Sequence, residues 1–390
     1  MEREPEDGLG PLGVLTVAFA GFCTFLDVYA TQPLLPTFVD LFHATKTDAG
    51  LTVSASTAAV ALVSPLVGTL ADRMNRKRMI VGSIVALAVA TLLTATASTL
   101  HGLVAWRFLQ GAAVPGMYVL MLAYISEEAA PSSTGRVMAS FVTGNVIGGF
   151  TGRLLAGFVV AHAGWRQTFL VLGAINLLGA LITWRWLPPS RRFVPRVPGD
   201  DRAPDAWSRA LLSPRLLATF AIGFCVLFAQ VASFSYVVFY LSAPPFHLGP
   251  RELGAIFFVY LAGAVVTPLA GRLIDRAGSR SVLVLSLVLA AGGIALTLVP
   301  SLPVIIVGLA LVCSATFVCQ SASTTYLRVA APAQARALAS GLYVTAYYLG
   351  GSVGGVAPGL LWSRAGWPGC VALIASVQLT TLALALRFWR

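Results

Sequence analysis

Long apolar runs alternate with short polar loops along the whole chain. A helix that crosses a membrane needs about 20 mainly apolar residues, and each run approaches that length. Six runs precede the polar stretch near the middle of the chain and six follow it. The pattern therefore predicts an all-α membrane protein with twelve transmembrane helices. The predicted spans are residues 12–36, 49–71, 79–98, 102–126, 136–161, 166–187, 214–241, 252–272, 281–299, 303–328, 337–362 and 367–388.

A long hydrophilic stretch separates the two sets of six spans. It contains arginines among prolines and aspartates, a composition that is typical of a connecting segment. We therefore predict a first bundle of six helices over residues 1–187, a cytoplasmic linker over 188–213 and a second bundle of six helices over 214–390.

The composition excludes a water-soluble domain. Hydrophobic residues make up 57% of the chain and charged residues only 11%, whereas a soluble domain carries roughly 25% charged residues. The net charge of +11 does not indicate a nucleic-acid partner, because the basic residues lie in short loops between apolar runs. The five cysteines fall in apolar runs without metal-type spacing, so we interpret them as small hydrophobic residues.

The basic residues also predict the orientation of the chain in the membrane. With a cytoplasmic N-terminus, 20 of the 26 lysines and arginines fall on the cytoplasmic side, as the positive-inside rule requires. We therefore expect both termini to be cytoplasmic. The acidic start lacks the features of a signal peptide, so we expect the first span to be retained. The six exceptions are Lys46, Arg166, Arg251 and Arg364 in outer loops, and Arg107 and Arg153 within spans.

A charged turn that begins with glycine occurs twice, about 200 residues apart. The copies read Gly68-Thr-Leu-Ala-Asp-Arg-Met-Asn-Arg-Lys-Arg and Gly271-Arg-Leu-Ile-Asp-Arg-Ala-Gly-Ser-Arg. The glycine lets two helices approach closely, the aspartate can face a helix N-terminus, and the bases can lie near lipid phosphates. Asn75 and Gly278 stand where we expect left-handed backbone. The residues that we assign to the two turns are Gly68, Asp72, Arg73, Arg76, Lys77, Gly271, Asp275, Arg276 and Arg280.

The first turn resembles the loop between helices 2 and 3 of the major facilitator superfamily, and the second resembles the loop between helices 8 and 9. This resemblance implies two pseudo-symmetric six-helix bundles, with the turns acting as conformational switches during alternating access. Two shorter repeats support the same symmetry. Gly21-Phe-Cys23 recurs as Gly223-Phe-Cys225, and Ala163-Gly-Trp165 recurs as Ala365-Gly-Trp367.

Asp27 is an acidic residue in the interior of a predicted span, whereas the other 14 of the 15 acidic residues fall in the N-terminal tail, in loops or at span ends. A carboxylate at that depth is costly, which indicates a functional role. Desolvation favours the neutral acid and a neighbouring cation favours the carboxylate, so the group can take up and release a proton. The alternative is an inert partner in a structural ion pair.

The expected partner of Asp27 is Arg107, which begins the segment Arg107-Phe-Leu-Gln-Gly111 in the fourth span. The two residues differ in depth by about one helical turn, which an arginine side chain can bridge. The segment resembles the R-x-x-Q-G motif of the superfamily's fourth helix, and drug/proton antiporters of the superfamily pair a first-helix acid with this arginine. The resemblance thus implies that Asp27 and Arg107 form a proton-coupling pair.

The fifth span carries regularly spaced glycines and a second intramembrane cation, in Gly144-Asn-Val-Ile-Gly-Gly-Phe-Thr-Gly-Arg153. The glycines predict close contact with a neighbouring helix. The span lacks the Gly-Pro pair of drug/proton antiporters and resembles arabinose-efflux-permease-like exporters of bacterial inner membranes. Arg153 has two interpretations, contact with an anionic group of the substrate or extension to the outer interface, and the second is favoured.

Polar residues within the spans predict the substrate contacts. The spans of the second half contain no acidic residue, so we expect charge coupling in the first half and uncharged substrate contacts in the second. Ordinary packing is the alternative for each candidate. The candidate residues of the substrate cavity are Thr31, Tyr118, Asn145, Gln230, Gln320 and Tyr347.

These observations predict a secondary active transporter of a bacterial cytoplasmic membrane, which exports a small organic compound such as a drug, a sugar or a metabolite in exchange for protons. The alternative is a facilitator or a proton symporter that imports a small metabolite on the same fold. No nucleotide-binding loop is present and no histidine lies within a span, so we expect neither ATP-driven transport nor an enzyme. We expect no cofactor and no metal, and a monomer whose partners are its substrate, protons and the lipid bilayer.

Overall fold

The computed structural model describes residues 9–71, 75–190, 213–332 and 335–389. Within these ranges the chain is helical and contains no strand. The helices, in order, are α1 (Pro11–Leu26), a short 3-10 helix (Gln32–Leu34), α2 (Leu35–Phe42), α3 (Lys46–Ala71), α4 (Arg76–Thr94), α5 (Leu100–Glu128), α6 (Thr134–Ala163), α7 (Trp165–Trp186), α8 (Pro214–Ser242), α9 (Pro250–Ile256), α10 (Val259–Ala277), α11 (Ser279–Leu296), α12 (Leu302–Ala330) and α13 (Arg336–Phe388).

The helices of the described ranges form the twelve membrane segments that the hydrophobic pattern predicts. Ten helical stretches are long and apolar enough to cross a membrane, and α9 with α10 counts as one of them. One stretch, α13, contains two segments, because Gly366 interrupts it with a φ of 58°. The remaining segment consists of α1, the turn after it and α2.

Two of the predicted spans, 12–36 and 252–272, are not continuous helices. In the first, α1 ends at Leu26 and a turn leads to the 3-10 helix. In the second, α9 ends at Ile256 and α10 begins at Val259. Hydrophobic periodicity missed both breaks, because a run of apolar residues has the same composition whether its backbone is helical or turned.

Glycines set the distance between neighbouring helices in both halves of the chain. A Cβ added to Gly144, Gly148 or Gly152 of α6 would lie within 2.0 Å of a carbonyl oxygen of α1. In the second half, a Cβ added to Gly350 of α13 would lie 1.9 Å from the carbonyl oxygen of Phe224 in α8. The predicted close contact of the fifth span is therefore confirmed, and its repetition in the second half supports pseudo-symmetry.

The boundaries of the two bundles stay predictions. Most of the predicted linker, residues 191–212, lies outside the described residues. We use "first half" for residues 9–190 and "second half" for residues 213–389, as ranges of sequence.

The two halves meet at one end of the helix bundle, the end that carries the loop between α2 and α3, which we call the closed end. There the Ser54 hydroxyl donates to the carbonyl oxygen of Ser352 at 2.6 Å. A Cβ added to Gly157 in α6 would lie 2.8 Å from the Cα of Gly254 in α9. The distribution of basic residues predicts that this end faces the outside of the cell.

Candidate functional site

The first helix breaks next to the intramembrane carboxylate. Asp27 follows the last residue of α1, and Pro33 lies six residues further on. Because proline has no backbone N–H, it cannot donate to the Tyr29 carbonyl, and it restricts the backbone of the residue before it. The backbone N–H of that residue, Gln32, donates to the Tyr29 carbonyl oxygen at 3.1 Å. The carbonyl of Val28 thereby loses its regular helical donor.

Arg107 supplies donors to the broken helix. Its fully buried guanidinium donates from Nη2 to the Val28 carbonyl oxygen at 2.6 Å and from Nη1 to the Asp27 carbonyl oxygen at 2.8 Å. Its Nε donates to the Thr52 carbonyl oxygen in α3 at 2.9 Å. Nη1 also donates to the side-chain oxygen of Gln110 at 2.6 Å. Arg107 therefore fixes the turn to α3 and α5.

Asp27 and Arg107 lie next to each other without a side-chain ion pair, and their role as a proton-coupling pair stays a prediction. The guanidinium binds the backbone of Asp27, and no described basic side chain lies within ion-pair distance of the carboxylate. The reason is the helix break, because a residue at a helix end presents its carbonyl to a donor beyond the helix. The carboxylate points to α4 and α7 instead, where Thr91 donates to Oδ2 at 3.2 Å and the Asn176 amide also donates to Oδ2.

A chain of hydrogen bonds connects the arginine to the carboxylate without a direct contact of the charges. The Gln110 amide accepts from Arg107 and donates to the Thr91 hydroxyl at 2.9 Å. Asp27 is 1% exposed. In the described parts of the chain, neither its Oδ1 nor the Oδ1 of Asn176 has a hydrogen-bond partner. A buried carboxyl group with one bare oxygen is costly in its ionised form, so this arrangement can bind a proton.

Arg153 lies at a second polar centre, between the two halves. Its side chain is 3% exposed. Nε donates to the Gln32 side-chain oxygen at 2.7 Å, Nη1 to the Gly149 carbonyl oxygen at 2.6 Å and Nη2 to the Tyr260 hydroxyl at 3.4 Å. The guanidinium carbon is 4.7 Å from the ring centroid of Tyr29 and 4.4 Å from that of Tyr260. These distances are typical of cation–π contacts.

The favoured interpretation of Arg153, extension to the outer interface, is therefore wrong. Its guanidinium is enclosed between the two helix breaks, with Tyr29 in the first and Phe257 in the second. No described carboxylate lies within ion-pair distance of it. Aromatic faces and neutral oxygens compensate the charge instead.

The Gln32 amide links Arg153 in its own half to Ser235 in the other half. Its oxygen accepts from Arg153, and its nitrogen donates to the Ser235 hydroxyl in α8 at 3.0 Å. The Gln230 amide donates to the Tyr260 hydroxyl at 3.1 Å. We call these five residues the inter-half cluster.

Three of the predicted cavity residues lie at or near the inter-half cluster. Gln230 belongs to it, and Tyr347 is buried in α13 near Tyr29 and Tyr260. Thr31 is buried in the turn after Asp27, and its hydroxyl has no hydrogen-bond partner. This placement is consistent with their assignment to a cavity between the halves.

The other three predicted cavity residues do not join the cluster. The Tyr118 ring packs edge-on against Phe25 within the first half, with ring centroids 5.9 Å apart. Asn145 is buried near Gly21 of α1, and its side-chain oxygen has no partner. Gln320 is half-buried in α12. Their roles stay predictions.

The first charged turn is built differently from what we expected. Arg76 is 5% exposed and forms an ion pair with Glu127 at 2.8 Å, rather than facing lipid. Asn75 has a φ of −57°, so the expected left-handed backbone is wrong at this position. Its side chain accepts from the Arg78 N–H at 3.2 Å, because it caps the N-terminus of α4. Asp72 lies outside the described residues, as does Arg73.

The second charged turn has the expected left-handed residue, since Gly278 has a φ of 79°. Arg280 donates to the Leu386 carbonyl oxygen at 2.9 Å, which ties the turn to the end of α13. The remaining residues of the two turns are Gly68 in α3, half-buried Lys77 in α4, and the exposed residues Gly271, Asp275 and Arg276 in α10.

Sequence reasoning missed several polar residues of both centres. Each is an uncharged polar side chain within an apolar run. One such residue is weak evidence of a functional site, and only the structure shows that several of them lie together. Gln110 lies inside the R-x-x-Q-G segment and was not assigned a role. The missed residues are Gln32, Thr91, Gln110, Asn176, Ser235 and Tyr260.

Twelve membrane segments, helices broken at mid-depth and polar clusters at those breaks define the class of membrane transporters. The sequence profile of the Major Facilitator Superfamily matches residues 17–243 and 231–390. The chain belongs to this superfamily. It is 34% identical over 373 residues to the uncharacterized MFS-type transporter YybF of Bacillus subtilis, covering 95% of this chain and 92% of the relative. It is 31% identical over 379 residues to the inner membrane transport protein YnfM of Escherichia coli, covering 96% and 90%.

Solved structures share the fold at low sequence identity. A bacterial homologue of the human lysosomal transporter Spinster, in an inward-facing and unoccupied conformation, superposes with a TM-score of 0.76 at 17% identity, covering 98% of this chain and 96% of the other. The nucleoside transporter NupG gives a TM-score of 0.76 at 15% identity, with 97% and 100% coverage. These similarities support the helical architecture alone.

Proposed function

We propose that this chain is a proton-coupled antiporter that exports a small organic compound, such as a drug, a sugar or a metabolite, by alternating access. The observation that supports this most directly is the position of Asp27. Its buried carboxyl group has no ion-pair partner among the described residues and lies at the break of the first helix. The turn that begins there ends at Gln32, which joins the two halves. One turn therefore carries both the proton site and the contact that closes the bundle.

The surroundings of Asp27 accommodate both protonation states. In the ionised form, Oδ2 accepts from Thr91 and Asn176. In the protonated form, the carboxyl hydrogen can be donated to the amide oxygen of Asn176 after the amide turns over, since the two ends of an amide have the same shape. The Thr91 hydroxyl then donates to the Leu87 carbonyl oxygen, 2.8 Å away.

A change of charge at Asp27 reaches the inter-half cluster through the backbone. Arg107 donates to the backbone carbonyl oxygens of Asp27 and Val28. A displacement of the Asp27 carboxyl group therefore moves the rest of the turn relative to Arg107. Gln32 moves with the turn, and its hydrogen bond to Ser235 in the second half lengthens. The closed end then opens, because the conformation that lacks these bonds becomes relatively more stable.

The cargo binds between the halves, on the side of the inter-half cluster away from the closed end. Tyr29, Tyr347 and Gln230 offer aromatic faces and uncharged polar groups there. With the predicted orientation this side opens to the cytoplasm, as an exporter needs for loading. The direction rests on the resemblance to drug/proton antiporters and arabinose-efflux-permease-like exporters. The similarity to an inner membrane transport protein supports a bacterial cytoplasmic membrane.

The test is compound-dependent proton flux in proteoliposomes that contain a pH-sensitive dye. A panel of sugars, metabolites and drugs is applied across an imposed pH gradient. We expect at least one compound to release protons with wild-type protein and none with Asp27→Asn, which keeps the volume and the acceptor oxygen but cannot ionise. Asp40→Asn is the control, because Asp40 is an exposed acid in α2.

If the Asp27→Asn variant moved protons at the same rate as the wild type, Asp27 would be excluded as the coupling site. Compound uptake by the wild type without any proton movement would instead favour a facilitator. Size-exclusion profiles of the two variants show whether the fold is retained in each case.

A further inference from the structure

A groove of about 410 Å³ lies on the outer surface of the helix bundle where α6 meets α9. Its walls come from both halves of the chain, and most of its residues are apolar. The first half contributes Thr151, Leu154, Leu155 and Phe158, and the second half contributes Arg251, Ala255 and Phe258.

The groove has a charged mouth and apolar walls. Arg251 lies in the first turn of α9, near the closed end, and its side chain is exposed. Phe258 follows seven residues later, which places it roughly 10 Å deeper along the segment at 1.5 Å per residue. In α6, Phe158 lies near the closed end like Arg251, and Thr151 lies deeper in the membrane like Phe258. The groove therefore runs from the membrane surface towards the hydrocarbon core, with its single charged side chain at the surface.

The back of the groove is the seam between the halves. Gly157 and Gly254 bring α6 and α9 into backbone contact there. Deeper in the membrane, the rings of Phe150 and Phe258 have centroids 4.9 Å apart. Because each half supplies one wall, the groove exists only while the closed end is closed.

We propose that this groove binds one anionic phospholipid of the adjacent leaflet and that the bound lipid stabilises the closed end. The phosphate binds to Arg251, and an acyl chain lies along Leu154, Ala255 and Phe258. A cationic mouth above an apolar channel matches a molecule with an anionic head and a hydrocarbon tail. A zwitterionic headgroup binds less well, because its cation meets the same arginine.

The lipid acts on the conformational equilibrium by mass action. A ligand that binds only one of two states shifts the population towards that state according to its concentration and affinity. Anionic lipid therefore favours the conformation in which the two halves meet at α6 and α9. This inference is independent of the identity of the cargo and of proton coupling.

Native mass spectrometry of the purified full chain, titrated with dioleoylphosphatidylglycerol or dioleoylphosphatidylcholine, tests the proposal. We expect one tightly bound phosphatidylglycerol, and about fivefold weaker binding by Arg251→Gln, the loss that removal of one basic residue at a lipid surface produces. Arg364→Gln is the control, because Arg364 is an exposed arginine outside the groove, two residues before the Gly366 break in the middle of α13, on the predicted outer side of the membrane. Ala255→Trp, which fills the channel, should weaken binding of both lipids.

Equal phosphatidylglycerol affinity in the wild type and Arg251→Gln would overturn the proposal. An equal loss in Arg251→Gln and Arg364→Gln would also overturn it, since it would indicate general surface attraction. If Ala255→Trp fails to fold, as judged by size-exclusion chromatography, the two arginine variants decide the result.

Discussion

Gln32 is the side chain whose removal should open the closed end most selectively. It makes two hydrogen bonds, one to Arg153 in its own half and one to Ser235 in the other half. Gln32→Ala removes both and leaves the Nε of a buried guanidinium without an acceptor. The turn itself is kept, because Arg107 holds it through backbone carbonyls.

The size of the effect follows from the kinds of bonds that are lost. A hydrogen bond to a charged group contributes about 1.5–3 kcal/mol and a neutral one about 0.5–1.5 kcal/mol. The closed conformation should therefore lose about 2–4 kcal/mol relative to the open one, because opening lets water reach the polar groups. At 1.4 kcal/mol for each factor of ten, the ratio of closed to open molecules falls by roughly 30- to 1,000-fold.

Distances between spin labels across the closed end report this ratio. Leu41 in α2 and Ser363 in α13 are exposed and belong to different halves, so cysteines there accept labels in a background without reactive native thiols. We expect one short distance in the wild type and a second, longer distance in Gln32→Ala. Gln320→Ala is the control, because the Gln320 side chain in α12 forms no hydrogen bond with the five residues of the inter-half cluster.

The opposite substitution should have the opposite effect. Gln32→Glu keeps an acceptor for Arg153, and its carboxylate can accept from the Ser235 hydroxyl across the halves. A hydrogen bond to a charged group is stronger than a neutral one, so the closed end should become more stable and the short distance should sharpen. An unchanged distance distribution in Gln32→Ala, or the same change in Gln320→Ala, would refute the assignment of Gln32 as the closing contact.

Arg107→Ala leaves three buried carbonyl oxygens without a charged donor, so we expect the free energy of unfolding to fall by about 3–5 kcal/mol, measured as a lower Tm in detergent. Arg107→Lys should recover part of this loss. Gly148→Leu forces side-chain atoms into a carbonyl oxygen of α1, so it should abolish the monodisperse size-exclusion peak. Gly82→Leu should retain the peak, because a Cβ at position 82 meets no atom within 4 Å. Arg76→Ala breaks a half-buried ion pair and should lower the Tm more than Arg280→Ala does, since the latter removes one exposed hydrogen bond. Similar losses in the last pair would contradict the asymmetry of the two turns.

The sequence predicts the architecture because membrane insertion depends on the composition of long segments. Twelve apolar runs give the segments, and the paired turns and glycines give the pseudo-symmetry. The depth of Asp27 and of Arg107 was predicted as well, since both follow from counting residues along a span.

The contacts of those two residues were not predictable in the same way. Counting residues along a span treats α1 as continuous past Asp27, whereas the helix ends there and the Asp27 carbonyl oxygen accepts from the Arg107 guanidinium. Pro33 was the available signal, because a proline six residues on can mark a break as well as a kink. The position of Arg153 depends on two helix breaks from different halves, which no pattern within one segment reveals.

The strength of the contacts between the halves fits the proposed driving force. One pH unit of proton gradient supplies about 1.4 kcal/mol per proton. The hydrogen bonds of Gln32 and Ser54 across the seam are of this size, at about 0.5–1.5 kcal/mol each. A buried ion pair would cost about 3–5 kcal/mol to break, which is more than one proton supplies across such a gradient. Among the described residues no ion pair joins the two halves. Arg153 carries its charge to the seam but meets aromatic rings and amides there. Contacts of this strength are consistent with the proposal that a single protonation of Asp27 releases the closed end.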